Sequence, residues 1–295
     1  MSAALLLVLL LVLFLCNTPI AIAIGVASIG AIAITGDHSL MVAIQKMFGG
    51  ADSFHLMAVP LFMYAGLIME KGGISQRLID LANALVGWLP GGLAAVTVVS
   101  AMFFAGISGS AAADTAAVGA LLIPAMKKSG YDSDFAGAVQ AAGGSIGVII
   151  PPSIPMIIFG FLTGASIGRL FAAGILPGIM IGLSLIVIAT MLSRKYGYGA
   201  ALSFSWANLF SNFVAAIPAL GAPCIILGGI LGGIFTATES AAVAVFYSLV
   251  VGFFIHRELA LRDLSSIFIE GSVLSLIHIS EPTRRACRSR MPSSA

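Results

Sequence analysis

The chain is 295 residues long, 59% apolar and 9% charged, with a formal net charge of +2 and a mean hydropathy of +1.10. A surface that apolar cannot be wetted, which excludes a soluble enzyme or binding module and assigns the chain to a lipid bilayer. Basic residues scattered through short loops form no continuous stripe, so a nucleic-acid partner is excluded as well.

Roughly eight apolar segments of about 17 to 25 residues use up the length, which predicts an all-α polytopic membrane protein with no soluble domain left over. The first span is predicted at 3–34, bent at Pro19. It lacks a basic flank and a small-residue cleavage site, so it reads as a retained span and not a removed signal. A second span follows at 54–70. Two arms at 91–107 and 111–127 read as a hairpin that enters and leaves on one side. The span at 134–167 is interrupted by Pro151, Pro152 and Pro155, and another runs over 170–193. The aromatic, amphipathic stretch 203–217 is expected to lie along the interface. Two more spans are predicted at 218–234 and 239–255.

With the arms treated as a hairpin, one face carries Lys71, Arg77, Lys127, Lys128, Arg194, Lys195, Arg257 and Arg262, while the other carries Lys46 and Arg169. The basic face is therefore expected to be cytoplasmic, together with the N-terminus. Cys16, Cys224 and Cys287 share no metal spacing and read as packing residues. His38, His55 and His256 fall at span ends and in loops, where interfacial placement explains them.

Two segments put polar chemistry inside apolar runs. The stretch 105–115 holds Gly106, Ser108, Gly109, Ser110, Asp114 and Thr115. Nonhelical backbone at membrane depth survives only where protein or a water-filled cavity surrounds it. Glycine allows the turn, and hydroxyls with freed carbonyls suit a small hard cation such as Na+. Close packing of small residues is the alternative. The stretch 143–155 runs through Gly143, Gly144 and Gly147 into Pro151, Pro152, Ser153 and Pro155 and cannot be one helix. Its prolines remove amide donors, so carbonyls near 147–150 lose partners, as in the broken helices that form ion and substrate sites in transporters. A plain proline kink is the alternative.

Asp114 sits four residues after Ser110 and is read as capping or complementing a helix start, with ion binding as the alternative. Thr236 and Glu239 have capping-box spacing, with a proton relay at Glu239 as the alternative. Gly106-Ile-Ser108-Gly109 matches the short motif of rhomboid-type intramembrane serine proteases, but no later span holds a histidine base away from its ends. A channel fits poorly, since one hairpin and one broken span suggest half of an alternating-access machine.

Several runs together resemble the large membrane subunit of the tripartite ATP-independent periplasmic (TRAP) transporters. They are Phe-Ala-Gly-Ile-Ser-Gly-Ser-Ala-Ala-Ala-Asp at 104–114, Leu-Ile-Pro-Ala-Met-Lys-Lys-Ser-Gly-Tyr at 122–131 and Ile-Ile-Pro-Pro-Ser-Ile-Pro at 149–155. Ala-Gly-Ile-Leu-Pro-Gly at 173–178 and the run 228–243, from Gly228 through Thr236 and Glu239 to Val243, complete the set. The resemblance implies an elevator-type secondary transporter, not an enzyme, in the bacterial inner membrane. It implies as partners a small four-helix membrane subunit and a periplasmic substrate-binding protein that delivers an organic acid, such as a C4-dicarboxylate or sialic acid. Na+ is the implied coupling ion, and no other cofactor is expected.

Carried over residue by residue, Ser108, Gly109, Ser110, Gly147, Ile150 and Pro152 resemble the first sodium site, and Ser110, Pro151 and Ser153 one wall of the substrate site. The stretch 257–264 resembles the cytoplasmic connection into the second half of the fold. The second inverted repeat and its sodium site are missing, so the chain as written is expected not to transport. A Na+/dicarboxylate symporter working without a binding protein is the alternative.

From Leu274 the texture changes, and Arg284, Arg285, Arg288 and Arg290 crowd together. Residues 274–284 resemble, codon by codon, the translation of a transposase-type sequencing-library adapter, and 289–295 resemble its flow-cell end. The native membrane domain is therefore expected to be 1–273, with 274–295 foreign. A basic cytoplasmic tail is the alternative.

Overall fold

The structure, a computed structural model, describes residues 2–36, 39–51, 53–199 and 203–280. Every regular element among them is helical. Contacts divide the chain into two units, residues 1–54 with 272–295, and residues 55–271. His38 and Cys287 lie outside the described residues.

The first unit contains α1 (Ser2–Leu15), α2 (Ile20–Thr35) and α3 (Leu40–Ala51). The single span expected over 3–34 is corrected here to two helices that pack side by side, with Gly30 against Leu9. Asn17 adopts a left-handed φ of 57°, the Thr18 hydroxyl donates to the Leu13 carbonyl, and Pro19 precedes the first residue of α2. Proline fits a helix start because it has no amide to leave unpaired there. At 14 and 16 residues the two helices rise roughly 21 and 24 Å.

The second unit begins with α4 (Ala58–Lys71), α5 (Ile74–Val86), α6 (Gly92–Ser108), α7 (Ala111–Lys128) and α8 (Ser133–Gly144). A 3-10 turn over Ser145–Val148 leads to α9 (Ile154–Thr163), followed by α10 (Ile167–Lys195) and α11 (Trp206–Leu231). The last elements are α12 (Ala237–Val250), a π turn over Val251–Ile255, and α13 (Leu261–Ser280), which belongs to this unit through residue 271. α10, α11 and the stretch Ala237–Ile255 are long and apolar enough to cross a membrane. The stretch 203–217, expected to lie along the interface, is from Trp206 onward the first part of the continuous helix α11, which carries Pro218 and Pro223 internally. The Tyr247 hydroxyl donates to the Pro218 carbonyl at 2.8 Å and ties this proline-bearing stretch to α12.

Fully buried large side chains such as Phe62, Met69, Leu78 and Phe171 are accompanied at the helix contacts by many small ones. Leucine gains little by leaving lipid for another helix, so helix contacts are made by small residues that admit close approach. On α10, Leu176, Met180, Leu183, Val187 and Met191 are exposed, while Gly174, Gly178 and Gly182 are on its buried side. α4 and α12 pack together and bury Ala58, Ala65, Ala237, Ala241 and Ala244. Nearby, a Cβ on Gly72 would come within 3.3 Å of the Gly252 Cα.

Ion pairs fasten the chain after the π turn to the α4–α5 corner. Lys71 reaches Glu270 at 3.0 Å and Arg77 reaches Glu258 at 2.8 Å. Two basic residues assigned to one face by sequence are therefore at least partly neutralised by acids from the distant 257–271 stretch.

Candidate ion and substrate site

The arms predicted at 91–107 and 111–127 are α6 and α7, and the hairpin turns at Gly109 and Ser110. Gly109 has a φ of +65°, a left-handed value that an L side chain would strain. There is also no room for one: a Cβ would lie 2.5 Å from the Pro152 carbonyl oxygen. Both constraints make glycine obligatory and press the hairpin turn against the proline break.

Ser110 is the N-cap of α7, its Oγ accepting the Ala113 amide at 3.3 Å. Ser153 does the same for α9, accepting the Met156 amide at 3.4 Å while donating to the Val148 carbonyl at 2.7 Å. The α9 start and the hairpin turn are joined directly, because the Ile154 amide donates to the Gly109 carbonyl at 3.1 Å. The Pro151–Pro152 peptide is cis. The break expected from three prolines is therefore a 3-10 turn and an irregular stretch, 149–153, whose end lies on the hairpin.

Asp114 stands in the first turn of α7, where an acid complements the helix start, while the N-cap itself is Ser110. Asp114 Oδ1 accepts the Ser108 hydroxyl at 2.5 Å across the turn. Ser108 Oγ in turn accepts the Ser110 amide at 3.1 Å. Asp114 is 1% exposed, and its Oδ2 has no hydrogen-bond partner. A Cβ on Gly147 would lie 2.5 Å from that oxygen and 3.0 Å from the Ala111 Cα and amide nitrogen. The missing side chain at Gly147 thus leaves the space beside the unpaired carboxylate oxygen.

Of the residues singled out from sequence, Ser108, Gly109, Ser110, Asp114, Gly147, Pro152 and Ser153 come together, all of them buried. The side chain of Ile150 turns instead towards α10, where a Cβ on Gly178 would lie 2.4 Å from its Cγ1, and Pro151 is buried beside it in the break. Thr236 and Glu239 form a reciprocal capping box at the start of α12. Thr236 also lines a separate cavity of about 600 Å³ with His55 and Ser166.

Sequence reasoning missed two supports. Gln140 of α8 donates to the Thr115 carbonyl at 3.1 Å and holds the first turn of α7. Gly174 lies under the break, where a Cβ would be 2.6 Å from the Ile149 carbonyl oxygen. The four-residue spacing of Gly174, Gly178 and Gly182 was the available signal for the second. The site's oxygens are hydroxyl, carbonyl and carboxylate, a set that suits a hard cation. Among the described residues no three His, Cys, Asp or Glu side chains gather for a transition metal. Ser108 is bonded to a carboxylate, which is not the histidine pairing that a serine nucleophile needs.

Comparison with known proteins matches residues 7–279 to the family described as tripartite ATP-independent periplasmic transporter, DctM component. The isethionate TRAP transporter permease protein DctMQ of Oleidesulfovibrio alaskensis is 44% identical over 264 residues, covering 89% of this chain and 42% of that protein. The 2,3-diketo-L-gulonate TRAP transporter large permease protein YiaN of Escherichia coli is 46% identical over 225 residues, covering 76% and 53%. The C4-dicarboxylate TRAP transporter large permease protein DctM of Vibrio cholerae is 39% identical over 260 residues, covering 88% and 57%. The chain spans about half the length of these relatives. The family match passes residue 274, and α13 continues to Ser280, while the rest of the adapter-like tail lies outside the described residues.

Proposed function

The chain belongs to the DctM component family of the tripartite ATP-independent periplasmic transporters, and from that membership we propose that it forms the first half of a Na+-coupled importer of organic acids. The importer resides in the bacterial inner membrane with the basic face in the cytoplasm. A small membrane subunit and a periplasmic binding protein complete it. The relatives' substrates, isethionate, 2,3-diketo-L-gulonate and C4-dicarboxylates, are all organic acids, and that class is the substrate assigned here. In this reading α6 and α7 are a re-entrant hairpin, carried with the 149–153 break by an elevator movement.

The observation that carries the reading is the unpaired, buried Oδ2 of Asp114 beside Gly147. A buried carboxyl must take up either a proton or a counter-charge, and among the described residues Asp114 is offered only the Ser108 hydroxyl. Na+ bound among Ser108, Gly109, Ser110, Gly147, Ile150 and Pro152 supplies that charge, with Ser110, Pro151 and Ser153 facing the substrate. The test is uptake by the full-length permease with both partners in proteoliposomes. Organic acid accumulation should follow an inward Na+ gradient, and equal uptake with K+ in place of Na+ would refute the coupling.

A further inference from the structure

At the end of the second unit where α5 finishes and α11 begins lies an apolar groove of about 370 Å³. Leu81 and Leu85 of α5, Phe103 of α6, and Trp206, Phe210 and Phe213 of α11 line it. Trp206 and Phe210 are among the most exposed aromatic residues of the unit, at 76% and 72%. An aromatic chain leads out of the groove: Trp206 meets Phe204 edge-on at 5.1 Å, and Phe204 meets Trp88 at 5.9 Å. The Trp88 indole donates to the Leu85 carbonyl, fixing the ring at the mouth.

The C-terminal end of α10 is seated at this mouth, since a Cβ on Gly91, three residues after Trp88, would lie 2.0 Å from Ser193 Cβ. Arg194 and Lys195 follow directly. Both are exposed, and neither is ion-paired among the described residues. Asp132 is engaged by the hydroxyl of Tyr198, three residues beyond Lys195, at 2.9 Å. Asp80, next to Leu81 on α5, accepts from Gln76 at 3.0 Å.

We propose that this groove is a binding site for an anionic phospholipid, one acyl chain lying between α5 and α11 and the headgroup phosphate meeting Arg194 and Lys195. Two observations select this occupant. The groove is lined throughout by apolar and aromatic side chains, so it offers nothing to a polar ligand. Trp88, Phe204 and Trp206 next to a basic pair are the residue types that settle at the headgroup level of a bilayer.

The chain has only two tryptophans, Trp88 and Trp206, and both lie at this site, so tryptophan fluorescence reports on it directly. The 295-residue chain, with Trp88→Phe leaving Trp206 as sole reporter, is placed in phosphatidylcholine vesicles and titrated with brominated phosphatidylglycerol or brominated phosphatidylcholine. The anionic lipid should quench Trp206 at a mole fraction lower by about fivefold to thirtyfold, because each basic residue at the surface favours an anionic lipid about fivefold. Arg194→Ala with Lys195→Ala should abolish that preference while both lipids still quench. Leu85→Phe, which fills the groove and leaves the basic pair in place, should weaken quenching by both. Equal quenching by the two lipids in the parent chain, or a preference that survives loss of both basic residues, would overturn the proposal. Protection of Trp206 from both lipids would also overturn it and would indicate a protein cover.

Discussion

Gly147→Ala tests the site with the smallest possible change. The added methyl would sit 2.5 Å from Asp114 Oδ2 and 3.0 Å from both the Cα and the amide nitrogen of Ala111. Ordinary contacts need about 3.5 Å or more, so the carboxylate must turn and the start of α7 must retreat by roughly half an ångström. Ala111 offers backbone, which has no rotamer to give. Overpacking of this kind costs about 1 to 3 kcal/mol, and a binding constellation tolerates only about 0.5 Å of misplacement. Expressed as lost cation affinity, the cost raises the half-saturating Na+ concentration about 5-fold to 150-fold. The assay is initial-rate uptake by the full-length permease with its partners as Na+ is varied. Gly137→Ala on the neighbouring α8 meets nothing within 4 Å and should leave the curve unmoved. A Gly147→Ala protein whose Na+ dependence stays within twofold of the parent would refute the placement of the ion beside Asp114.

Asp114→Asn keeps the shape of the side chain and removes its charge. The parent should unfold at a higher temperature in Na+ than in K+, an advantage of about 2.7 kcal/mol when Na+ is at a hundred times its dissociation constant, and the variant should show no such difference. Gly174→Ala drives a methyl into the Ile149 carbonyl oxygen and should destabilise by about 1 to 3 kcal/mol. Gly228→Ala on α11, with nothing within 4 Å, should be neutral or stabilise by up to about 1 kcal/mol. Both are read from thermal unfolding in detergent. Thr236→Ala removes the α12 cap and should cost about 1 kcal/mol without altering Na+ dependence, since the capping box lies on a cavity of its own.

The site was largely legible because its residues break rules that the rest of the chain obeys. Glycine and serine in an apolar run at 106–110, and three prolines at 151–155, have no place in a lipid-facing helix, so each flagged itself. What joins the two segments was not legible. The Ile154 amide meeting the Gly109 carbonyl, and the Ser108 hydroxyl meeting Asp114, depend on the turn that Gly109 makes, and spacing alone favoured a cap for Asp114. The first span was misread because 3–34 is apolar almost throughout, and hydropathy does not register the reversal at Asn17. Residues 203–217 read as a segment separate from the following span because of their serines and asparagines, yet from Trp206 onward they belong to one helix, α11, which continues through two prolines and is tied to α12 by Tyr247.

The glycine face of α10 has an electrostatic consequence. Where Gly174 and Gly178 meet the break, the helix contributes no side chains on its inner side, and Leu176 and Met180 face outwards. Between the Ile149 carbonyl and the outer face of α10 there is therefore little more than one backbone cylinder and one layer of apolar side chains. Such side chains bring no polar group to screen a charge placed in the break. The polar groups that meet the break from its other side are those of the hairpin, where Asp114 stands beside Gly147 and the Gly109 carbonyl accepts the Ile154 amide.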